Sequence, residues 1–311
     1  MVSGRWNRVE FTTYDGLKLR GNWFESPSAV GTATSPAIIM TQGLALLKEH
    51  YLQNWAKRFQ DAGFHVLIYD HRNFGDSEGY PRCEADLERQ ADDYSDAVSY
   101  VRGLNGVNPD KVFLWGICHA GGAAGTAAAL DRRIAGVILM MPSLSGKFDY
   151  DNWPARYREK YEATRQLGRD AADNKADFVR FWPTSAADRA GQGESMLTDD
   201  VSYNWVQGAS RLTDEGGSTF DNKLAVTSLH SIFRARPGAY FPEISPTPVL
   251  FLAATDDPLS TDFETQAKTY SAMGEPKEFV ALNGGHLSNY FGEQFEVGLH
   301  AMLQWLQKYS R

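Results

Sequence analysis

FLWGICHAGG (residues 113–122) reads as an apolar strand that runs into a tight turn and then into a helix of small residues. Gly116-Ile117-Cys118-His119-Ala120 has the form glycine, any residue, nucleophile, any residue, small residue, with a thiol at the centre where an alcohol is usual. Such a turn lifts its central side chain above the edge of a sheet, and it is so tight that its flanks must be small. Gly116, Ala120, Gly121 and Gly122 meet that demand. The start of the following helix lies under Cys118 and favours an anion there, which predicts a reactive thiol. A buried free cysteine is otherwise inert packing, so the reading needs support from the rest of the chain.

The flanking sequence predicts a parallel sheet. RVEFTTYDGLKLRGNWF (8–24) is a hairpin pattern, two alternating runs joined at Asp15-Gly16. PAIIMTQG (36–43), FHVLIYD (64–70), KVFLWG (111–116), IAGVILMMP (134–142), TPVLFLAATDDP (247–258) and KEFVAL (277–282) are further strands. Helical patterns lie at about 49–62 and 84–104, and Phe291, Phe295, Leu299, Met302, Leu303 and Leu306 have the spacing of a closing helix. Continuous apolar strands with helices between them imply an α/β fold with a buried, mostly parallel sheet flanked by helices.

The pattern breaks between Ser145 and Pro246, where the chain is rich in Trp, Tyr, Phe, Asp and Arg and shows no strand period. This segment, 146–245, is expected to be a helical cap over the edge of the sheet where open α/β sheets bind ligands. The core is then 1–145 with 246–311. A surface excursion without a role is the plain alternative.

Composition removes several classes of function. A chain of 311 residues with 42% hydrophobic and 23% charged residues is globular and suits one large domain with an insertion. The net charge of −8 is spread along the chain with no Lys/Arg run, so no nucleic-acid partner is expected. No stretch approaches the ~20 apolar residues that cross a bilayer, and MVSGRWNRVEF (1–11) has no apolar signal core, so a soluble cytoplasmic protein without a membrane partner is expected. The only cysteines are Cys83 and Cys118, which excludes a disulfide framework or a cysteine metal site. Cys83, in GYPRCEADL (79–87), has no elbow around it and is expected to be structural. Neither a metal nor an organic cofactor is expected.

A thiol or alcohol on an elbow works with a base and an acid that follow it in the chain, the acid after a late strand and the histidine after the last one. Asp257 in FLAATDDPLS (251–260) and His286 in ALNGGHLSNYF (281–291) stand in those places. His286 would take the proton of Cys118 and later activate an acceptor, while Asp257 would hold the imidazole tautomer and stabilise its charged form. Asp256 is the rival acid; Asp257 is preferred because it directly precedes Pro258. Oxyanion donors are expected from the backbone N–H of His119 and of Leu44, the latter in MTQGLALLKEHY (40–51), where Gly43 permits close backbone approach. The side chain of His119 is expected to pack or line the pocket rather than serve as a second base.

Taken together, the cysteine elbow, Asp257 and His286 resemble the α/β-hydrolase superfamily over the whole chain. YDHRNFGDSEG (69–79) also resembles the Asp-x-Arg loop common there, whose role is structural. Dienelactone hydrolases have a similar cysteine elbow but are shorter and lack a cap of this size. The elbow, Gln42-Gly43 through Lys48-Glu49-His50-Tyr51, MPSLSGKFDYDNW (141–153) and the long cap are more similar to fungal polyketide acyltransferases, the fumagillin acyltransferase type. That resemblance implies transfer of an acyl chain from a thioester, carried by a polyketide synthase's carrier protein, to a hydroxyl.

Thiol chemistry agrees with it. Exchange of a carrier thioester for an acyl-Cys is nearly isoenergetic, so the acyl group keeps its activation for a second step to an oxygen ester or a lactone. A dry cap would exclude water, and Trp153, Tyr157, Phe178, Phe181, Trp182 and Trp205 could line it. The competing reading is a thioesterase or dienelactone-type hydrolase with the same triad. A third, a non-catalytic binding protein on this fold, is disfavoured by the intact nucleophile, acid and histidine.

Overall fold

The computed structural model describes residues 6–31, 33–167, 177–257 and 262–311. Eight strands form one sheet: β1 (Asn7–Thr12), β2 (Lys18–Phe24), β3 (Ser35–Thr41), β4 (His65–Tyr69), β5 (Val107–Ile117), β6 (Gly136–Met140), β9 (Val249–Ala254) and β10 (Lys277–Leu282). Their order across the sheet is β1-β2-β4-β3-β5-β6-β9-β10, and β2 alone runs against its neighbours. The hairpin turns at Asp15-Gly16 as expected, with Gly16 at φ 90°.

The strands are apolar on both faces, and period-two alternation divides them between two cores. Ile38, Met40, Val66, Ile68, Phe113, Trp115 and Ile117 face one side. There they meet Trp55 and Phe59 of α1 (Leu52–Asp61) and Leu299, Met302 and Trp305 from the closing helix Gly292–Tyr309. Ala37, Ile39, Leu67, Tyr69 and Leu114 face the other. They meet Tyr94 and Val98 of α2 (Leu87–Arg102) and the alanines of α3 (His119–Leu130).

β5 begins four residues before the apolar run that marks it in the sequence. Ser35 pairs with Val107 and Ala37 with Val112, so the residues between form an irregular bulge. The Asn-Pro-Asp sequence inside that bulge hides the strand from a pattern reading.

Between β6 and β9 the chain leaves the sheet and returns beside its point of departure, Val137 pairing with Val249. The excursion contains α4 (Gly146–Asn152), α5 (Ala155–Leu167), α6 (Ala186–Arg189), α7 (Asp200–Gly216) and α8 (Ser228–Arg234). It also contains an antiparallel ribbon, β7 (Phe178–Val179) with β8 (Leu224–Ala225). A two-residue strand is too short to show a period, so its sequence carried no sign of it. Tyr157, Phe181, Trp182 and Trp205 belong to the same apolar cluster as Trp55 and Tyr290, so this segment and the core share one hydrophobic interior.

Candidate active site

β5 ends at Ile117 and α3 begins at His119, which leaves Cys118 alone to turn the chain. Its backbone sits at φ 55° and ψ −123°, a conformation costly for a residue with a side chain. Cys118 N donates to Met140 O at 3.0 Å, while Cys118 O accepts from Gly122 N and Ser143 N, so the turn is held on both sides. A Cβ on Gly116 would lie 2.3 Å from Ala120 O, which is why the strand's last turn needs glycine. The result is a half-buried thiol at the start of a helix.

His286 follows β10 and sits at the entrance of a short turn of 3₁₀-helix, Leu287–Tyr290. Asn289 Nδ2 donates to Gly285 O at 2.7 Å and fixes that turn. His286 Nδ1 lies 2.7 Å from Asp257 Oδ2, and its ring bonds Cys118 from the other side. Burial opposes charge on the imidazole. The Asp257 carboxylate and negative charge on Cys118 outweigh it and raise His286 to about 10. Asp256, the other candidate, is exposed and accepts from Thr255 Oγ1 at 3.1 Å. Pro258, used above to choose between the two, lies outside the described residues.

Gly43 brings the loop after β3 against the elbow: a Cβ there would be 3.1 Å from Cys118 Cβ and 3.8 Å from Cys118 Sγ. Leu44 follows on that loop and is buried. Among the described residues, neither Leu44 N nor His119 N donates a hydrogen bond within the protein. The His119 side chain turns away into the core, where Nε2 lies 2.7 Å from Gln90 Oε1 and burial pushes its pKa down to about 4.

Of the expected lining, Trp182 and Trp205 stack at 4.9 Å and 16°, and Trp205 meets Tyr290 edge-on at 5.1 Å. Phe181 packs on Trp182. Trp153 and Tyr157 contact each other at 6.3 Å, and Trp153 also meets Phe233. Phe178 is half-buried under Lys223, whose Nζ lies 4.7 Å from the ring centre. A cavity of about 420 Å³ lined by Arg8, Glu10, Arg20, Lys48 and Asp76 among others includes none of Cys118, Asp257 and His286. It is polar and open to solvent, so the chemistry at the elbow outweighs its size.

Tyr290, Gln42 and Ser143 were given no role at the site from the sequence. Tyr290 Oη donates to Gln42 Oε1 at 2.9 Å, and burial and the charge of Cys118 keep its phenol well above the usual range. Gln42 Oε1 also accepts from Gly43 N at 2.9 Å, which ties Tyr290 to the loop beside the elbow. Ser143 Oγ is 3.9 Å from Cys118 Sγ.

Cys83 is buried, its Sγ 4.0 Å from Asp221 Oδ2, and burial with that negative charge pushes its thiol up to about 11. The 69–79 loop is structural: Arg72 bonds Asp93 at 2.6 Å and Asp15 at 2.8 Å. Among the described residues no group of His, Cys, Asp and Glu is arranged to hold a metal, and no helix is long and apolar enough to cross a membrane.

A family profile described as alpha/beta hydrolase fold matches residues 36–293. Polyketide transferase ATR5 of Stachybotrys chlorohalonatus is 33% identical, over 96% of this chain and 96% of that protein. Thiohydrolase aneE of Aspergillus aculeatus is 29% identical over 97% and 93%. The crystal structure of the alpha/beta hydrolase GrgF from Penicillium sp. superposes with a TM-score of 0.80 at 28% identity, covering 98% of this chain and 99% of that one.

Proposed function

Because this chain belongs to the α/β-hydrolase fold family, we propose that it is an acyltransferase that takes a polyketide-type acyl group from a thioester onto Cys118 and passes it to a hydroxyl. The single observation that carries the reading is the buried 2.7 Å contact from Asp257 to the imidazole that bonds Cys118. Full-length relatives named polyketide transferase support the substrate class.

In the first step Cys118, its proton held by His286 across the contact between them, attacks the thioester carbonyl through Sγ. The tetrahedral oxyanion is received by the N–H groups of Leu44 and His119, both without an internal acceptor. Collapse breaks the bond to the carrier's sulfur, which leaves with the proton held by His286. The acceptor hydroxyl then gives its proton to His286 and attacks the acyl-Cys. A second collapse forms the ester or lactone, and Cys118 recovers its proton. Asp257 stabilises the imidazolium in both halves. Trp182, Trp205 and Phe181, with Trp153 and Tyr157, fit a dry wall over the site. The thioester is read as arriving on a carrier protein. A free thiol used in this way persists in a reducing compartment, which supports a cytoplasmic setting.

The competing outcome is hydrolysis, favoured by relatives named thiohydrolase. Purified protein given a medium-length hydroxyacyl thioester separates the two by mass spectrometry. Mostly ester or lactone is the result expected, and mostly free acid makes it a thioester hydrolase.

A further inference from the structure

The loop that carries Leu44 has turns of its own, Leu46 N donating to Gly43 O at 3.3 Å and His50 N to Leu47 O at 2.9 Å, and it is braced from outside as well. Between Gly43 and Tyr51, Ala45 has φ 55° and Tyr51 has φ 67°, values that a non-glycine residue keeps only when its surroundings impose them. From the core, Gln42 Nε2 donates to His50 O at 2.5 Å and Asp70 Oδ1 accepts from Lys48 N at 2.8 Å. From the insertion, α7 and the residues just after it add hydrogen bonds to the ring contacts of Trp205 and Phe220 with His50. Thr213 Oγ1 is 2.7 Å from His50 Nε2, Trp205 O accepts from Tyr51 Oη at 3.2 Å, and Ser218 Oγ donates to Glu49 Oε1 at 2.9 Å.

His50 stands at the centre of these contacts with its tautomer decided. Its Nδ1 accepts from Leu47 N at 3.1 Å, so Nε2 carries the proton and donates it to Thr213 Oγ1. The hydroxyl of Thr213 is directed in turn to Ala209 O at 3.2 Å. Both side chains are buried, and burial together with the Lys48 charge keeps the imidazole neutral, with a pKa of about 3. An uncharged ring with one donor and one acceptor is a rigid spacer between α7 and the backbone N–H of Leu47, three residues beyond Leu44.

We propose that Thr213 and His50 are positioning residues through which the seated cap holds the Gly43–Leu47 turn, and with it the Leu44 N–H, where the oxyanion forms. This rests on the reading of Leu44 as an oxyanion donor. Neither residue touches substrate. The oxyanion hole is complete only while α7 is docked, so acylation is tied to a closed, water-poor site.

The test separates acylation from mere thiol reactivity, because alkylation by iodoacetamide builds no oxyanion. Thr213→Val keeps the shape and removes the acceptor of His50 Nε2. The variant is expected to acylate Cys118 from an N-acetylcysteamine thioester about 10- to 100-fold more slowly, with iodoacetamide alkylation at the wild-type rate. Thr213→Ser is expected to restore acylation to within about threefold. His50→Leu, which removes the other end of the same bond, repeats the measurement should the valine variant fold poorly. Wild-type acylation in folded Thr213→Val overturns the relay, and so does an equal loss of alkylation and acylation. A wild-type protein that alkylates at Cys118 but never acylates there overturns the parent reading and the relay with it.

Discussion

His286 Nδ1 and Asp257 Oδ2 are 2.7 Å apart, and both side chains are almost wholly shielded from water. Shielding makes the pair strong and makes its loss costly, because a buried imidazolium without its carboxylate has no solvent to replace it. Asp256, its neighbour, has water on one side and Thr255 on the other.

Asp257→Asn is therefore expected to lower kcat for thioester turnover by about 10³- to 10⁴-fold, as loss of a buried orienting carboxylate does in related triads. Asp256→Asn should change it by less than about threefold. Steady-state kinetics on the two variants checks the ranking, and the reverse order would move the acid by one residue.

Cys118→Ala should abolish turnover, because no nucleophile remains. The backbone at Cys118, φ 55° and ψ −123°, is one that glycine adopts freely. Cys118→Gly is thus expected to be equally inactive and yet more stable than Cys118→Ala by about 1 kcal/mol, the strain relieved less the extra chain entropy of glycine. Urea unfolding of the two inactive proteins measures it, and equal stability would mean that the elbow stores no strain.

Iodoacetamide should label Cys118 well ahead of Cys83. The Cys83 thiol is buried and pushed up to about 11, so at neutral pH it offers almost no thiolate. Peptide mass spectrometry over a time course reads both sites, and faster labelling of Cys83 would contradict the assignment.

His119 is held neutral in the core, with a folded pKa of about 4 against about 6.5 in the unfolded chain. Its contribution to stability is present above pH 6.5 and is lost as pH falls towards 4, at about 1.4 kcal/mol per pH unit. Asp70 and Asp93, pushed up to about 6, act in the opposite sense over part of that range. The effect therefore shows in a comparison. His119→Gln, which keeps a donor for Gln90, should lose stability less steeply than wild type between pH 6.5 and 4. Parallel pH profiles would mean that His119 titrates normally when folded.

Trp205 joins the insertion to the core, stacking on Trp182 of the insertion and meeting Tyr290 of the core. Trp205→Ala should cost about 3–5 kcal/mol of stability and shift the product towards free acid, since a void beside the acyl group admits water. An unchanged ratio of acid to ester would remove Trp205 from the wall of the site.

Much of this was legible from residue order because the signals are local. A hairpin at Asp15-Gly16, apolar runs such as KEFVAL and a glycine-flanked Cys118 each depend on a few neighbouring residues, and β10 spans the very stretch that its pattern marks. β5 was cut short because its bulge has no period, and the ribbon of β7 and β8 was missed because two residues cannot show one.

What the sequence by itself determined is the order of layers and the sites where chemistry could lie, since backbone propensity and two- or 3.6-residue periods act within a few residues. Tertiary structure alone decided that Asp257 turns inward and Asp256 outward, that the His119 ring leaves the site for Gln90, and that Thr213 braces His50 across 163 positions of chain. Those outcomes depend on how strands register and where an insertion docks, and such contacts form only when distant segments bury the same surface together.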